Sequence, residues 1–134
     1  MAQFIPLDHF EGMQEDLPAT NATTFTKGAL VKFSSGYLTN AAAADDEVEY
    51  LALESVLTTA TGQLVKVLKI SDDTVFQAEC GTTPVQASHV GNDYDLASAS
   101  TIDLTTSTDK VFHIDSIVNA GDKLVKGRFN RPAI

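Results

Sequence analysis

Short apolar runs separated by compact polar turns are the feature that most constrains this chain. Residues 27–54 show the pattern, reading KGALVKFSSGYLTNAAAADDEVEYLALE. An apolar run, a Ser-Ser-Gly turn, a second run and an alanine–acid connector precede a third run. Runs this short, bounded by turn residues, are typical of strands rather than helices. The sequence therefore predicts an all-β fold.

Alternation within the runs predicts which side chains share a face. In 29–33, Leu30 and Lys32 lie on one face and Val31 and Phe33 on the other, and a turn at Gly36 follows. Three other runs are predicted in the same way: Phe76, Ala78 and Cys80 point inward; Phe112, Ile114 and Val118 share a face; and 63–70 is apolar on both faces. Two apolar faces indicate a strand in the middle of a sandwich or barrel.

Residues 47–56 allow two interpretations. Asp45 or Asp46 could cap a helix with Val48, Leu51 and Val56 on one face. As a strand, the same stretch alternates normally, and both neighbouring segments have β patterns. We therefore favour the strand.

The architecture predicted for the 134 residues is one small sandwich or barrel of about seven to nine short strands. Residues 1–23 form an extended N-terminal arm in this prediction, interrupted by Pro6 and Pro18, and residues 24–134 form the β domain. The arm is either a strap packed on its own domain or a segment that orders on a partner. Its candidate partner-binding residues are Phe4, Ile5, Leu7 and Phe10.

Charge narrows the classes of partner. Eighteen acidic and nine basic residues give a net charge of −9. This balance disfavours binding to nucleic acid or to an anionic membrane surface. The C-terminal segment is comparatively basic, which is either an ordinary charge-balanced surface strand or a place where Arg128 and Arg131 dock onto an acidic partner.

No residue pattern indicates catalysis, a metal site or a cofactor. The acidic clusters lack the spacing of a calcium loop, and His9, His89 and His113 are far apart in sequence. No serine lies in a nucleophile elbow, and no glycine-rich phosphate loop is present. Cys80 is alone and is predicted to be a small buried hydrophobe, a usage that fits synthesis in a reducing cytoplasm. We expect a non-enzymatic protein without cofactors.

Two stretches carry a family resemblance. Residues 27–56, KGALVKFSSGYLTNAAAADDEVEYLALESV, resemble the head decoration, or capsid cement, proteins of tailed double-stranded DNA bacteriophages. Their chains often open with a loose arm, followed by a hairpin of the form G-x-L-V … G-x-L and a strand after an Ala/Asp linker. The second half of the chain, which closes on VKGRFNR, is similar to the ending of small phage virion proteins.

The resemblance implies a structural virion protein on the outer capsid surface, made in the host cytoplasm. It would act as a homotrimer that binds the major capsid protein, cements neighbouring subunits and stabilises the DNA-filled head. Two alternatives stay open. One is another β-rich virion component, such as a tail-tube, head-fibre or head-completion protein. The other is a cellular protein- or carbohydrate-binding β module.

Overall fold

The computed structural model describes residues 2–8, 13–43, 45 and 47–130. Within them lie thirteen strands and one short helix, so the all-β prediction is confirmed. The elements are β1 (Ile5–Asp8), β2 (Gln14–Ala19), β3 (Thr24–Phe25), β4 (Leu30–Ser34), β5 (Tyr37–Asn40), β6 (Tyr50–Ala52), β7 (Val56–Leu57), β8 (Gln63–Lys69), β9 (Val75–Cys80), α1 (Gln86–His89), β10 (Asp93–Leu96), β11 (Thr101–Asp103), β12 (Phe112–Asn119) and β13 (Leu124–Phe129).

The number of strands exceeds the predicted seven to nine because several have only two or three residues. A strand of that length shows no readable alternation. The ambiguous stretch 47–56 contains β6 and the start of β7, so the strand interpretation is confirmed. The hairpin at Gly36 is also confirmed: Ser35 and Gly36 have φ angles of 52° and 87°, as the tight turn between β4 and β5 requires.

Two sheets form most of the molecule. Strands β2, β5, β4, β6 and β8 close into a barrel. The second sheet has the order β1-β9-β11-β10-β12-β13. Strand β13, the last in this order, also pairs with β9, the second. Strand β9 is the centre of this sheet, because β13 lies along one side of it while β1 and β11 share the other.

Barrel strands β4, β6 and β8 have apolar residues on both faces because each face belongs to a different core. On β8, Val65 and Val67 are buried in the cluster within the barrel, whereas Leu68 is buried in a larger cluster shared with the second sheet. On β4, Val31 and Leu30 divide in the same way. This arrangement confirms the prediction of two buried faces for 63–70, except that Leu64 is 61% exposed.

The described part of the N-terminal segment is a strap on its own domain. Strand β2 pairs with β8 along all six of its residues, and β1 pairs with β9. The Phe4 N–H donates to the Gly28 carbonyl oxygen at 2.7 Å. Gly28 has a φ of 87°, and a Cβ there would overlap Gln3, so glycine lets the strap pass closely. The described part of the N-terminal segment therefore pairs with strands of both sheets.

Strand β12 contains an irregularity that the sequence pattern did not reveal. Its register with β13 shifts between Ile114 and Ser116 and again between Ile117 and Asn119. Each shift disturbs the alternation of faces. Phe112 and Ile114 are buried as predicted, but Val118 is 49% exposed, so its predicted position on their face is wrong.

Candidate interaction surface

Phe4 belongs to the core of the second sheet. Its ring lies 5.2 Å from that of Phe129 and 6.0 Å from that of Phe112, and Phe76 completes the cluster. All four side chains are at most 1% exposed. In the described structure the Phe4 ring therefore holds the N-terminal strap to the core of the second sheet. Its role in binding a partner stays a prediction.

The remaining predicted contact residues are distributed differently. Ile5 is half-buried, Leu7 is 45% exposed and Arg128 is exposed on β13. Phe10 and Arg131 lie outside the described residues. Strand pairing brings Ile5 and Arg128, which are far apart in sequence, onto the same side of the second sheet.

We call that side of the second sheet the outer face. Ile5 stands opposite Gln77 on β9, and Gln77 stands opposite Lys126 on β13. Leu124 and Arg128 lie two residues before and after Lys126 on β13, so their side chains point to the same face. The outward side chains that make up the outer face are Ile5, Val75, Gln77, Glu79, His113, Asp115, Leu124, Lys126 and Arg128.

Two shallow depressions lie side by side on the outer face. The first is about 600 Å³ and lies between Val75, Asp115, Lys126 and Arg128. The second is about 330 Å³ and is bounded by residues that include Ile5, Glu79 and Leu124. Both are open to solvent and would leave a small ligand largely exposed, so this relief suits a protein partner more than a small molecule.

A network of charged groups borders the outer face. His113 Nδ1 lies 2.6 Å from Asp93 Oδ1, and the Asn130 amide donates to the same oxygen at 3.0 Å. Burial raises the pKa of Asp93, but hydrogen bonds from Asn130 and His113 lower it by more. The net pKa of Asp93 therefore lies below its usual range. On the other side of the ring, Asp115 lies 3.6 Å from His113 Nε2 and 3.4 Å from Arg128 Nε. The network joins β10, β12 and the end of β13.

Asp95 fixes the loop between β11 and β12. Its carboxylate is 6% exposed and accepts backbone N–H groups of Thr108, Asp109 and Lys110 at 2.8 to 3.2 Å. Burial raises the pKa of Asp95, and these hydrogen bonds lower it by more, so the net pKa is below its ordinary value. The residue is a structural clamp.

Cys80 is 1% exposed, which confirms the predicted buried position. Burial, with a smaller contribution from the Glu79 carboxylate, raises the pKa of its thiol to about 12. The thiolate is the reactive form of cysteine, so this side chain is inert in the folded protein.

Metal-binding clusters and membrane-spanning helices are both lacking in the part of the chain that the structure describes. No group of three or more His, Cys, Asp or Glu side chains in it is arranged to hold a metal ion. No helix in it has the length and apolar character needed to cross a membrane.

The sequence analysis selected Arg128 and Ile5 as candidate contact residues but not their neighbours on the outer face. Lys126, Val75 and Leu124 were not selected as contact residues. Alternation along β13 could have placed Leu124, Lys126 and Arg128 together. The cross-strand register that adds Ile5 and Val75 is not written in any local pattern.

Comparison with solved structures identifies a related architecture. The fold is similar to that in the crystal structure of the head fibre gp8.5 N base of bacteriophage phi29, with a TM-score of 0.59 and 17% sequence identity. The match covers 91% of this chain and 98% of that chain. No family model matches the sequence, and no curated protein matches it. The two chains therefore share a fold along nearly their whole lengths.

Proposed function

We propose that this chain is a structural protein of a bacteriophage virion and works as a base module fixed to the outer surface of the phage head. The observation that carries the proposal is the coverage of the structural match: the similarity to the phi29 head fibre base spans 91% of this chain and 98% of that one. A match limited to one hairpin would carry no such argument. Here the fold similarity extends over nearly the whole of both chains.

The sequence resemblance to head decoration proteins supports the same location by a separate route. Those proteins and a head fibre base both belong to the phage head. In this proposal the protein is non-catalytic, its partner is the major capsid protein, and three copies assemble at each attachment point. Cementing of neighbouring capsid subunits is the finer form of the same proposal.

The physical character of the domain suits such a role. The closed barrel leaves few unpaired strand edges, and the four-phenylalanine cluster ties the N-terminal strap to the second sheet. A rigid domain loses little conformational entropy when it binds. The net charge of −9 limits adhesion to nucleic acid released during infection.

A binding experiment tests the proposal directly. Purified protein is mixed with heads of the encoding phage that lack it, and bound copies per head are counted after sedimentation. We expect saturable binding at a fixed number of copies, with antibody label on the outside of the head. Failure to bind, or binding of irregular copy number, would overturn the proposed function.

Heat resistance distinguishes the fibre base from the cement. If occupied heads retain their DNA to higher temperature than bare heads, the protein cements capsid subunits. If saturating binding leaves the release temperature unchanged, the protein is an attachment base alone. Sedimentation of the free protein shows whether the trimer exists before attachment or forms on the head.

A further inference from the structure

The segment between β9 and β10 contains a single ionisable side chain, that of His89. From Gly81 to Asn92 the sequence has no other His and no Asp, Glu, Lys, Arg, Tyr or Cys. Helix α1, which lies in this segment, has four residues and buries none of them. A helix this short is not stable by itself, so its shape depends on a few specific hydrogen bonds.

One of these hydrogen bonds is made by the histidine ring. Val85, the residue that precedes α1, donates its backbone N–H to His89 Nδ1 at 2.8 Å. The Val85 carbonyl oxygen accepts the His89 N–H at 2.9 Å, so the two residues are joined in both directions. The Val85 side chain makes no capping hydrogen bond, since it has no polar atom. The ring therefore closes the first turn of α1, much as a side chain does when it reaches back in a capping box.

This geometry determines the protonation state of the ring. A backbone N–H can only donate, so Nδ1 must carry a free lone pair and the ring proton must lie on Nε2. Protonation of His89 would place two N–H groups opposite each other at the 2.8 Å contact. The hydrogen bond is thus compatible with the neutral ring and incompatible with the imidazolium form.

Strands β10 and β12 lie against α1 without offering His89 a compensating charge. The Tyr94 ring on β10 meets the His89 ring edge to face at 5.6 Å, and the Tyr94 hydroxyl donates to the Ser88 carbonyl at 3.2 Å. Among the described residues, no carboxylate forms an ion pair with His89. The other ionisable side chains of the two strands have partners in the charged network or the loop clamp described above; they are Asp93, Asp95, His113 and Asp115.

The other histidine that the structure describes responds to protonation in the opposite sense. His113 lies between two carboxylates, with Nδ1 2.6 Å from Asp93 Oδ1 and Nε2 3.6 Å from Asp115 Oδ1. Carboxylates accept hydrogen bonds, so only the charged ring can donate to both of them. The pKa of Asp93 lies below its ordinary value, so this partner stays charged in mild acid. Protonation therefore supports the contact between β10 and β12, and its disruptive effect is confined to the segment that His89 holds.

We infer that His89 makes residues 81–92 a pH-sensitive flap, closed while the ring is neutral and released when the ring is protonated. Histidine side chains ordinarily change charge between about pH 5 and 8, which sets the range to be examined. Release would separate the Ser88 carbonyl from Tyr94 and uncover the Tyr94 side chain, which is 8% exposed in the closed state. This inference goes beyond the proposed function and does not depend on it.

Nuclear magnetic resonance of the native protein tests the inference without any substitution. At about pH 8 we expect the His89 ring proton on Nε2 and a coupling, through the hydrogen bond, between the Val85 amide nitrogen and Nδ1. At about pH 5 the coupling should vanish. Protection of the Val85 amide against hydrogen exchange, corrected for the intrinsic pH dependence of exchange, should fall about tenfold between the two conditions. Amides of β9 and β13 should keep their protection in both.

Two variants separate the ring from other effects of acid. In His89→Asn the side-chain amide oxygen takes the position of Nδ1 and accepts the Val85 N–H, but it does not titrate. In His89→Ala no acceptor remains. We expect the asparagine variant to protect the Val85 amide equally at both pH values and the alanine variant to protect it weakly at both.

Three results would overturn the inference. The first is a native His89 ring that carries its proton on Nδ1 at the higher pH. The second is native protection of the Val85 amide that is the same at both pH values. The third is an asparagine variant that loses protection in acid as the native protein does, because the acid response would then belong to a group other than His89.

Discussion

The barrel and the second sheet use their strands differently. On β8 of the barrel, Val67 and Leu68 are adjacent in sequence and both buried, because one faces the barrel interior and the other faces the second sheet. On β9 of the second sheet, Phe76 is buried and Gln77 faces outward. Barrel strands β4, β6 and β8 are therefore enclosed on two sides, whereas β9 and β13 have a free face.

This difference indicates which part of the molecule supports the fold and which part can bind. A strand buried on both faces cannot change without disturbing a core. A strand buried on one face can vary its outward residues at little cost in stability. The outward residues of the second sheet can therefore form a binding surface without disturbing the core that supports them.

The N-terminal strap should give the largest effect in a test of this comparison. Phe4→Ala removes a ring that contacts Phe112 and Phe129, so we expect a loss of about 3–5 kcal/mol in the free energy of unfolding. The control is Leu7→Ala, three residues along the same strap but 45% exposed, with a loss below about 1 kcal/mol. Urea denaturation measures both. Equal small losses would mean that the strap does not belong to the core.

Two-sided burial predicts a second large effect in the barrel. Leu68→Ala should reduce the free energy of unfolding by about 2–5 kcal/mol, because it opens a cavity in the larger core. Gln77→Ala on β9 should change it by no more than about 0.5 kcal/mol, since that side chain faces outward. Thermal denaturation of the two variants makes the comparison. A costly Gln77→Ala would contradict the free face.

Gly127 is a smaller test, inside the second sheet. It is buried where β13 pairs with β12, opposite Ile114, and an added Cβ would lie 2.7 Å from Phe112 Cε2 and overlap the His113 carbonyl. Gly127→Ala should therefore cost about 1–3 kcal/mol through overpacking. The matched control is Gly121→Ala in the β12–β13 turn, where the nearest atom, Asn119 Oδ1, is 3.4 Å away. Calorimetry that finds equal stability for both variants would argue against this close packing.

The pH dependence of stability tests the loop clamp of the second sheet. Asp95 has a pKa below its ordinary value in the folded state, so its charge stabilises the fold above the ordinary pKa of about 4. That contribution is lost as the pH falls through the folded pKa. Asp95→Asn should therefore be less stable than the native protein at about pH 7, by about 1–3 kcal/mol, and the difference should shrink at about pH 3. A difference independent of pH would show that the charge is not involved.

The sequence was a good guide to elements and a poor guide to how they associate. The hairpin at Gly36, the inward positions of Phe76 and Cys80, and the two apolar faces of 63–70 all follow from local alternation and turn chemistry. The exposure of Val118 does not, because a bulge depends on the pairing of two strands.

For the candidate surface, too, the sequence predicts single residues but not which of them lie together. Arg128 could be selected from the sequence because it is a cation at an outward-facing position of a predicted strand. The position of Ile5 on the same face could not be predicted from the sequence, because Ile5 and Arg128 are brought together only by the pairing of β1 and β13 with β9. Phe4 shows the reverse case: an apolar residue in a proline-interrupted segment predicts attachment equally well to a partner or to its own core.

By itself, the sequence determined that this chain is an acidic all-β protein with short strands and tight turns, since alternation and turn residues act over a few positions. Only the tertiary structure decided that the strands close into a barrel beside a second sheet, that the N-terminal segment packs on both, and that one sheet face is left open. Those outcomes depend on contacts between residues far apart in the chain, whose pairing no local pattern specifies.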